Sequence, residues 1–88
     1  MLYLATYRCG DDDRHSRIGD VVAGLSDNCW KVRDDVWVIE SDEHATKLRD
    51  RIKRHMLSDE SVIVALLAGH AAWHGFDTDA EDWLLAHL

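Results

Sequence analysis

Cys29-Trp30-Lys31-Val32-Arg33-Asp34-Asp35-Val36-Trp37-Val38-Ile39-Glu40 is the stretch on which the fold turns. Cys29–Arg33 and Val36–Glu40 are two short runs rich in β-branched and aromatic residues, and Asp34-Asp35 between them is a hairpin signal. The second run is apolar at four successive positions, Val36-Trp37-Val38-Ile39. A strand covered on one face alternates apolar and polar residues, so an unbroken run predicts a central strand with both faces covered.

Outward from the hairpin, each flank repeats the order strand then helix or helix then strand. Upstream, Leu2–Tyr7 is short, apolar and aromatic, and reads as a buried strand. After the polar break Gly10-Asp11-Asp12-Asp13, the residues Ile18, Val21, Val22 and Leu25 recur at i, i+3, i+4 and i+7, one face of a helix. One of those aspartates, or Ser16, is expected to cap it. Gly19 and Gly24 each weaken the helix by about 1 kcal/mol relative to alanine, and would suit a helix lying close on a sheet. Downstream, Ser41-Asp42-Glu43 offers a cap, and Ala45, Leu48, Ile52 and Met56 mark the buried stripe of a second helix. Ser58-Asp59-Glu60-Ser61 breaks that helix, and Val62–Leu67 is the clearest strand in the chain. A loop over 68–76 leads to Thr78-Asp79-Ala80-Glu81, a capping-box pattern, with Trp83, Leu84 and Leu88 to bury on a last helix.

The order is β-α-β-β-α-β, the ferredoxin-like arrangement, with an extra C-terminal helix. The fold class expected is α+β with an antiparallel four-stranded sheet, strands one and three central and two and four at the edges. Residues 1–88 form one domain, a core of 1–67 followed by a loop and helix at 68–88. No proline, repeat or low-complexity linker interrupts it. Edge strands invite pairing with another chain. A homodimer is therefore expected, through Val62, Val64 and Leu66 on the fourth strand with Trp73 and Phe76 beyond it.

The chain carries a net charge of −7, which disfavours non-specific attraction to a polyphosphate. The charge is unevenly spread. Residues 47–55 hold five bases against one acid, whereas the last fourteen residues hold Asp77, Asp79, Glu81 and Asp82 and no base. No basic leader and no apolar run long enough to span a bilayer occurs, so a cytoplasmic location, away from membranes, is expected, with Cys9 and Cys29 as free thiols. Serine-nucleophile, dinucleotide and Walker motifs are absent. His70 and His74 stand four apart, but no third ligand accompanies them. No cofactor is expected. Trp30, Trp37, Trp73 and Trp83 could stack bases, although with a single phenylalanine in the chain their expected place is the core or a dimer seam.

Three segments carry a family likeness: the first strand ending at Tyr7; the hairpin strand Asp35-Val36-Trp37-Val38-Ile39-Glu40; and Leu48-Arg49-Asp50-Arg51-Ile52 with Asp59-Glu60-Ser61-Val62-Ile63-Val64. Over residues 1–67 they resemble the small CRISPR-associated protein that dimerises at the centre of the spacer-integration complex. The tail from Ala72 resembles that family's stand-alone relatives outside CRISPR loci. The resemblance implies a dimeric, nucleic-acid-associated protein. It also implies metal-dependent phosphodiester cleavage by an aspartate directly after the first-strand tyrosine, with a hard divalent cation such as Mg²⁺. At that position this chain has Arg8, and a guanidinium cannot ligate a metal. Asp11, Asp12 and Asp13 are the candidate replacements. The expectation is thus a catalytically degenerate homodimer that binds RNA or DNA through Arg8, Arg14 and Arg17 and, on the second helix, Arg49, Arg51, Lys53 and Arg54. The alternatives are a toxin-like metal-dependent endoribonuclease and a non-enzymatic protein-interaction module.

Overall fold

The structure, a computed structural model, describes residues 1–68 and 70–88. Its elements are β1 (Leu2–Arg8), α1 (Asp12–Ala23), β2 (Cys29–Arg33), β3 (Val36–Glu40), α2 (Ala45–Lys53), β4 (Ser61–Leu67) and α3 (Thr78–His87). The strands form one antiparallel sheet in the order β2-β3-β1-β4. This is the ferredoxin-like arrangement, with β1 and β3 central as their apolar runs require.

Register determines what each face carries. Tyr3 lies opposite Ile39 and Ala5 opposite Trp37, so these four share a face with Val64 and Val62 of β4. Helices α1 and α2 cover that face. Ile18 and Val22 from α1 and Leu48 and Ile52 from α2, each no more than 1% exposed, close over Tyr3, Ala5, Tyr7, Trp37 and Ile39. The second face carries Leu2, Leu4 and Thr6 of β1 beside Glu40, Val38 and Val36 of β3, with Trp30 of β2 next to Val38. Helix α3 covers part of it: Trp83 packs against Trp30, and Leu84, Leu2 and Val38 are buried. Both faces of β3 are therefore occupied, which accounts for its unbroken apolar run.

The start of α1 agrees with the sequence expectation, and the other helix ends depart from it. Asp11 caps α1, its carboxylate accepting the Asp13 amide at 2.8 Å. The helix ends at Ala23, and Leu25 is buried just beyond the cap residue Gly24 rather than on the helical stripe. His44, not Ser41, Asp42 or Glu43, caps α2, because its Nδ1 accepts the Thr46 amide at 3.2 Å. Met56 follows the end of α2 yet still packs on the core. Asp77 rather than Thr78 caps α3, accepting the Ala80 amide at 2.9 Å. Gly19 is not forced by close packing, since a Cβ there would stand 3.5 Å from the Tyr7 hydroxyl, an ordinary contact. Gly75, by contrast, has φ of 87°, a left-handed conformation that side chains with a Cβ disfavour. No helix among the described residues is long and apolar enough to cross a membrane.

Candidate functional site

The antiparallel topology gathers one end of the sheet from four pieces of chain: the exit of β1 at Arg8, the start of α1, the Asp34-Asp35 turn, and the passage from α2 to the start of β4. Arg8 is exposed and sits opposite Ser61. A shallow groove of about 390 Å³ runs beside it, lined by Thr6, Arg8, Asp35, Ser61 and Ile63. A second, of about 560 Å³, lies between the end of α2 and β4, with Arg49 and Lys53 on one wall and Ser61 and Val62 on the other. Ser61 and Val62 at the start of β4 line both grooves, with Arg8 beside the first and Arg49 and Lys53 beside the second.

The seven candidate phosphate ligands differ sharply in how free they are. Among the described residues, Arg8, Arg17, Lys53 and Arg54 have no carboxylate within ion-pair distance, and all four are exposed. Arg49 pairs only with its neighbour Asp50 at 2.7 Å, and both side chains are about half exposed, so solvent screens the pair heavily. Arg51 reaches back to Glu43 at 3.0 Å across the start of α2. Partial burial opposes ionisation of Glu43, but Arg51 and Lys47 outweigh it and hold that carboxyl below its usual range.

Arg14 must be removed from the list of free cations. Its guanidinium grips Glu60 through Nε at 3.0 Å and Nη2 at 2.9 Å, and Nη1 reaches Asp11 at 3.3 Å. Glu60 also accepts the Gly10 amide at 3.2 Å and the Leu57 amide at 2.8 Å, and its side chain is only 3% exposed. One carboxylate thus ties the exit of β1, the first turn of α1 and the approach to β4. From the sequence Glu60 read only as part of a helix-breaking turn. Its partner lies 46 residues away, and no local pattern signals such a pair.

The Arg14 hydrogen bonds, with the Leu57 and Gly10 amides, hold the Glu60 carboxyl below its usual range. A depressed carboxyl stabilises the fold fully above its unfolded value near 4.5, and the contribution disappears as pH falls through the lower folded value. Glu60→Gln is therefore expected to melt clearly below the unsubstituted chain at neutral pH. The gap should close progressively below pH 4.5, as Glu60 itself becomes neutral. Thermal melts from pH 7 to 2 check this, and a gap that is constant with pH would show that the charge is not what matters.

The aspartates after β1 are committed locally. Asp11 is cap and ion-pair partner at once, and Asp12 and Asp13 form the acidic first turn of α1, where they complement the helix dipole. Only Asp11 lies in the short loop after the strand end; Asp12 and Asp13 are already helical. Among the described residues no three histidine, cysteine, aspartate or glutamate side chains converge as a metal site. His70 and His74 are both exposed, and the chain between them is not helical. Cys9 and Cys29 are free and half-buried, and burial pushes both thiols up.

The expected interface residues are only partly available. Val62 and Val64 lie on the helix-covered face and spend part of their surface on the core, because their register with Tyr7 and Ala5 turns them inward. Phe76 packs edge-on against Trp30 at 5.2 Å, and Trp73 is half-buried. Leu66 is 52% exposed, and so is Ile63 at 63%, a residue the sequence reading did not single out. Ile63 points to the half of the second face that α3 leaves open.

No family model matches the chain, and no curated protein matches it. Among solved structures it is similar to the crystal structure of a hypothetical protein from Thermus thermophilus, with a TM-score of 0.66 and 22% identity over 85% of this chain and 90% of that one. At that identity the likeness is one of fold.

Proposed function

We propose that this chain is a homodimeric, nucleic-acid-associated protein of the small CRISPR-associated type in which the phosphodiesterase chemistry has been lost. The observation that carries the reading is Arg8: exposed, without a carboxylate partner among the described residues, and at the strand-end position where the resemblance implies a metal-binding aspartate. A guanidinium there repels a divalent cation but neutralises a phosphate oxygen through charge-assisted hydrogen bonds. Lys53 and Arg49 beside the second groove add positive charge near the start of β4. Dimerisation uses the free edge of β4, where Ile63 and Leu66 expose apolar surface.

Purified protein incubated with Mg²⁺ or Mn²⁺ and labelled RNA and DNA is expected to leave both intact. Cleavage that vanishes in Asp11→Ala would overturn the reading and return catalysis to the aspartates. Sedimentation equilibrium at micromolar concentration should give twice the 10.1 kDa of the chain. Ile63→Lys should shift it to the monomer mass. A monomer at tens of micromolar removes the dimer.

A second reading, a protein-interaction module without a nucleic-acid role, is favoured by the net charge of −7 together with the exposed Ile63 and Leu66. Failure to bind any oligonucleotide at low salt would put it first.

A further inference from the structure

The face of the sheet opposite α1 and α2 carries a groove that the nucleic-acid reading does not use. It lies between β2 and the start of α3, measures about 590 Å³, and is lined by Trp30, Phe76 and Trp83, with Asp77 and Asp79 at its acidic side. Its volume falls within the range of small-molecule sites. All three rings are half-buried. They do not lie flat on one another: Trp30 meets Phe76 at 79° and Trp83 at 52°, with centroids 5.2 and 6.2 Å apart. His87 stacks on Trp83 at 4.1 Å and so occupies one face of that indole. Among the described residues neither the Trp30 nor the Trp83 indole N–H has a protein acceptor, unlike that of Trp37.

Charge decides which ligand such a groove takes. The amino end of α3 contributes about half a positive charge. Asp77 and Asp79 contribute two negative ones, and Glu81 lies in the same first turn. The balance is negative, which excludes phosphates and carboxylates. Aromatic faces bear negative potential and attract cations, most strongly those too bulky and poorly hydrated to prefer water. We propose that the Trp30–Phe76–Trp83 groove binds a small organic cation bearing a quaternary ammonium group, with Asp77 and Asp79 supplying the counter-charge.

The test is titration of the unmodified protein with choline and tetramethylammonium, followed by tryptophan fluorescence and by indole N–H resonances. Its control is 3,3-dimethyl-1-butanol, which has the shape of choline without the charge. Saturable binding of both cations is expected, with the neutral analogue at least about tenfold weaker. Asp79→Asn, an exposed change that leaves the fold intact, should weaken choline several-fold, and Trp83→Phe should weaken it further. Arg8→Ala, at the far end of the sheet, should have no effect. Equal binding of choline and its neutral analogue would show a merely apolar groove, and no saturation by about 50 mM cation would show none; either result overturns the proposal.

Discussion

Replacing Trp37 by alanine is expected to lower stability by about 3–5 kcal/mol, the range for removing a buried aromatic from a core. Trp37 is 8% exposed at the centre of the helix-covered face, beside Ala5 and within reach of Tyr7. The small partner Ala5 leaves room that only a large neighbour fills, so truncation opens a cavity that the surrounding strands cannot close without losing register. A hydrogen bond goes with the ring. The Trp37 indole N–H donates to the Tyr7 hydroxyl at 3.2 Å, and that hydroxyl donates to the Asp34 carbonyl at 3.1 Å. The pair thereby clamps the hairpin turn to β1. For 88 residues the whole stability is about 4–13 kcal/mol, so this one change consumes a large share of it. Thermal and urea melts should show a fall in Tm of at least about 10 °C. Trp37→Phe, which keeps most of the volume and loses the donor, should cost clearly less. A loss below about 1 kcal/mol in Trp37→Ala would mean that the core is not assembled around this ring.

The second large effect is on affinity. If Arg8, Arg17, Lys53 and Arg54 each neutralise one phosphate of a single strand, log affinity should fall with log salt at a slope of about −3 per protomer. Between about 50 and 200 mM salt that is a loss on the order of 50-fold, and about the square of it if both protomers grip one strand. The net charge of −7 makes low salt the condition in which to look. Arg8→Ala should reduce the slope by about 0.7 for single strands, whereas Arg51→Ala should leave it unchanged, because Arg51 is already spent on Glu43. Fluorescence anisotropy with labelled RNA and DNA oligonucleotides measures both. A slope near zero, or equal effects of the two substitutions, would sink the proposed phosphate contacts.

These two predictions rest on different parts of the chain's information. Trp37 as a residue of a central strand was legible in Val36-Trp37-Val38-Ile39, since an apolar run without alternation has meaning only when both faces are covered. The helical stripes of α1 and α2 were equally plain, because Ile18, Val22, Leu48 and Ile52 recur at the period of the helix itself. Element order then left the ferredoxin-like sheet as the reading, and the observed order β2-β3-β1-β4 agrees with it.

What the seven clustered cations and the three aspartates would do was not legible in the same way. Residues adjacent in sequence carry the same kind of charge, and only the fold assigns each a partner. Arg14 and Arg17 look alike in the chain; in the structure Arg14 is locked onto Glu60 and Arg17 is free. Asp11 resembled a metal ligand and became a cap, because the helix starts one residue later. Trp30, Phe76 and Trp83 were expected in the core or at a seam. Their convergence depends on α3 folding back so that Trp83 meets Trp30 and His87 approaches Glu40, residues far apart in the chain. Periodicity and turn chemistry act over a few residues and are written in the chain. Ion pairs, face coverage and grooves arise where distant segments meet, and for those the folded geometry alone decides.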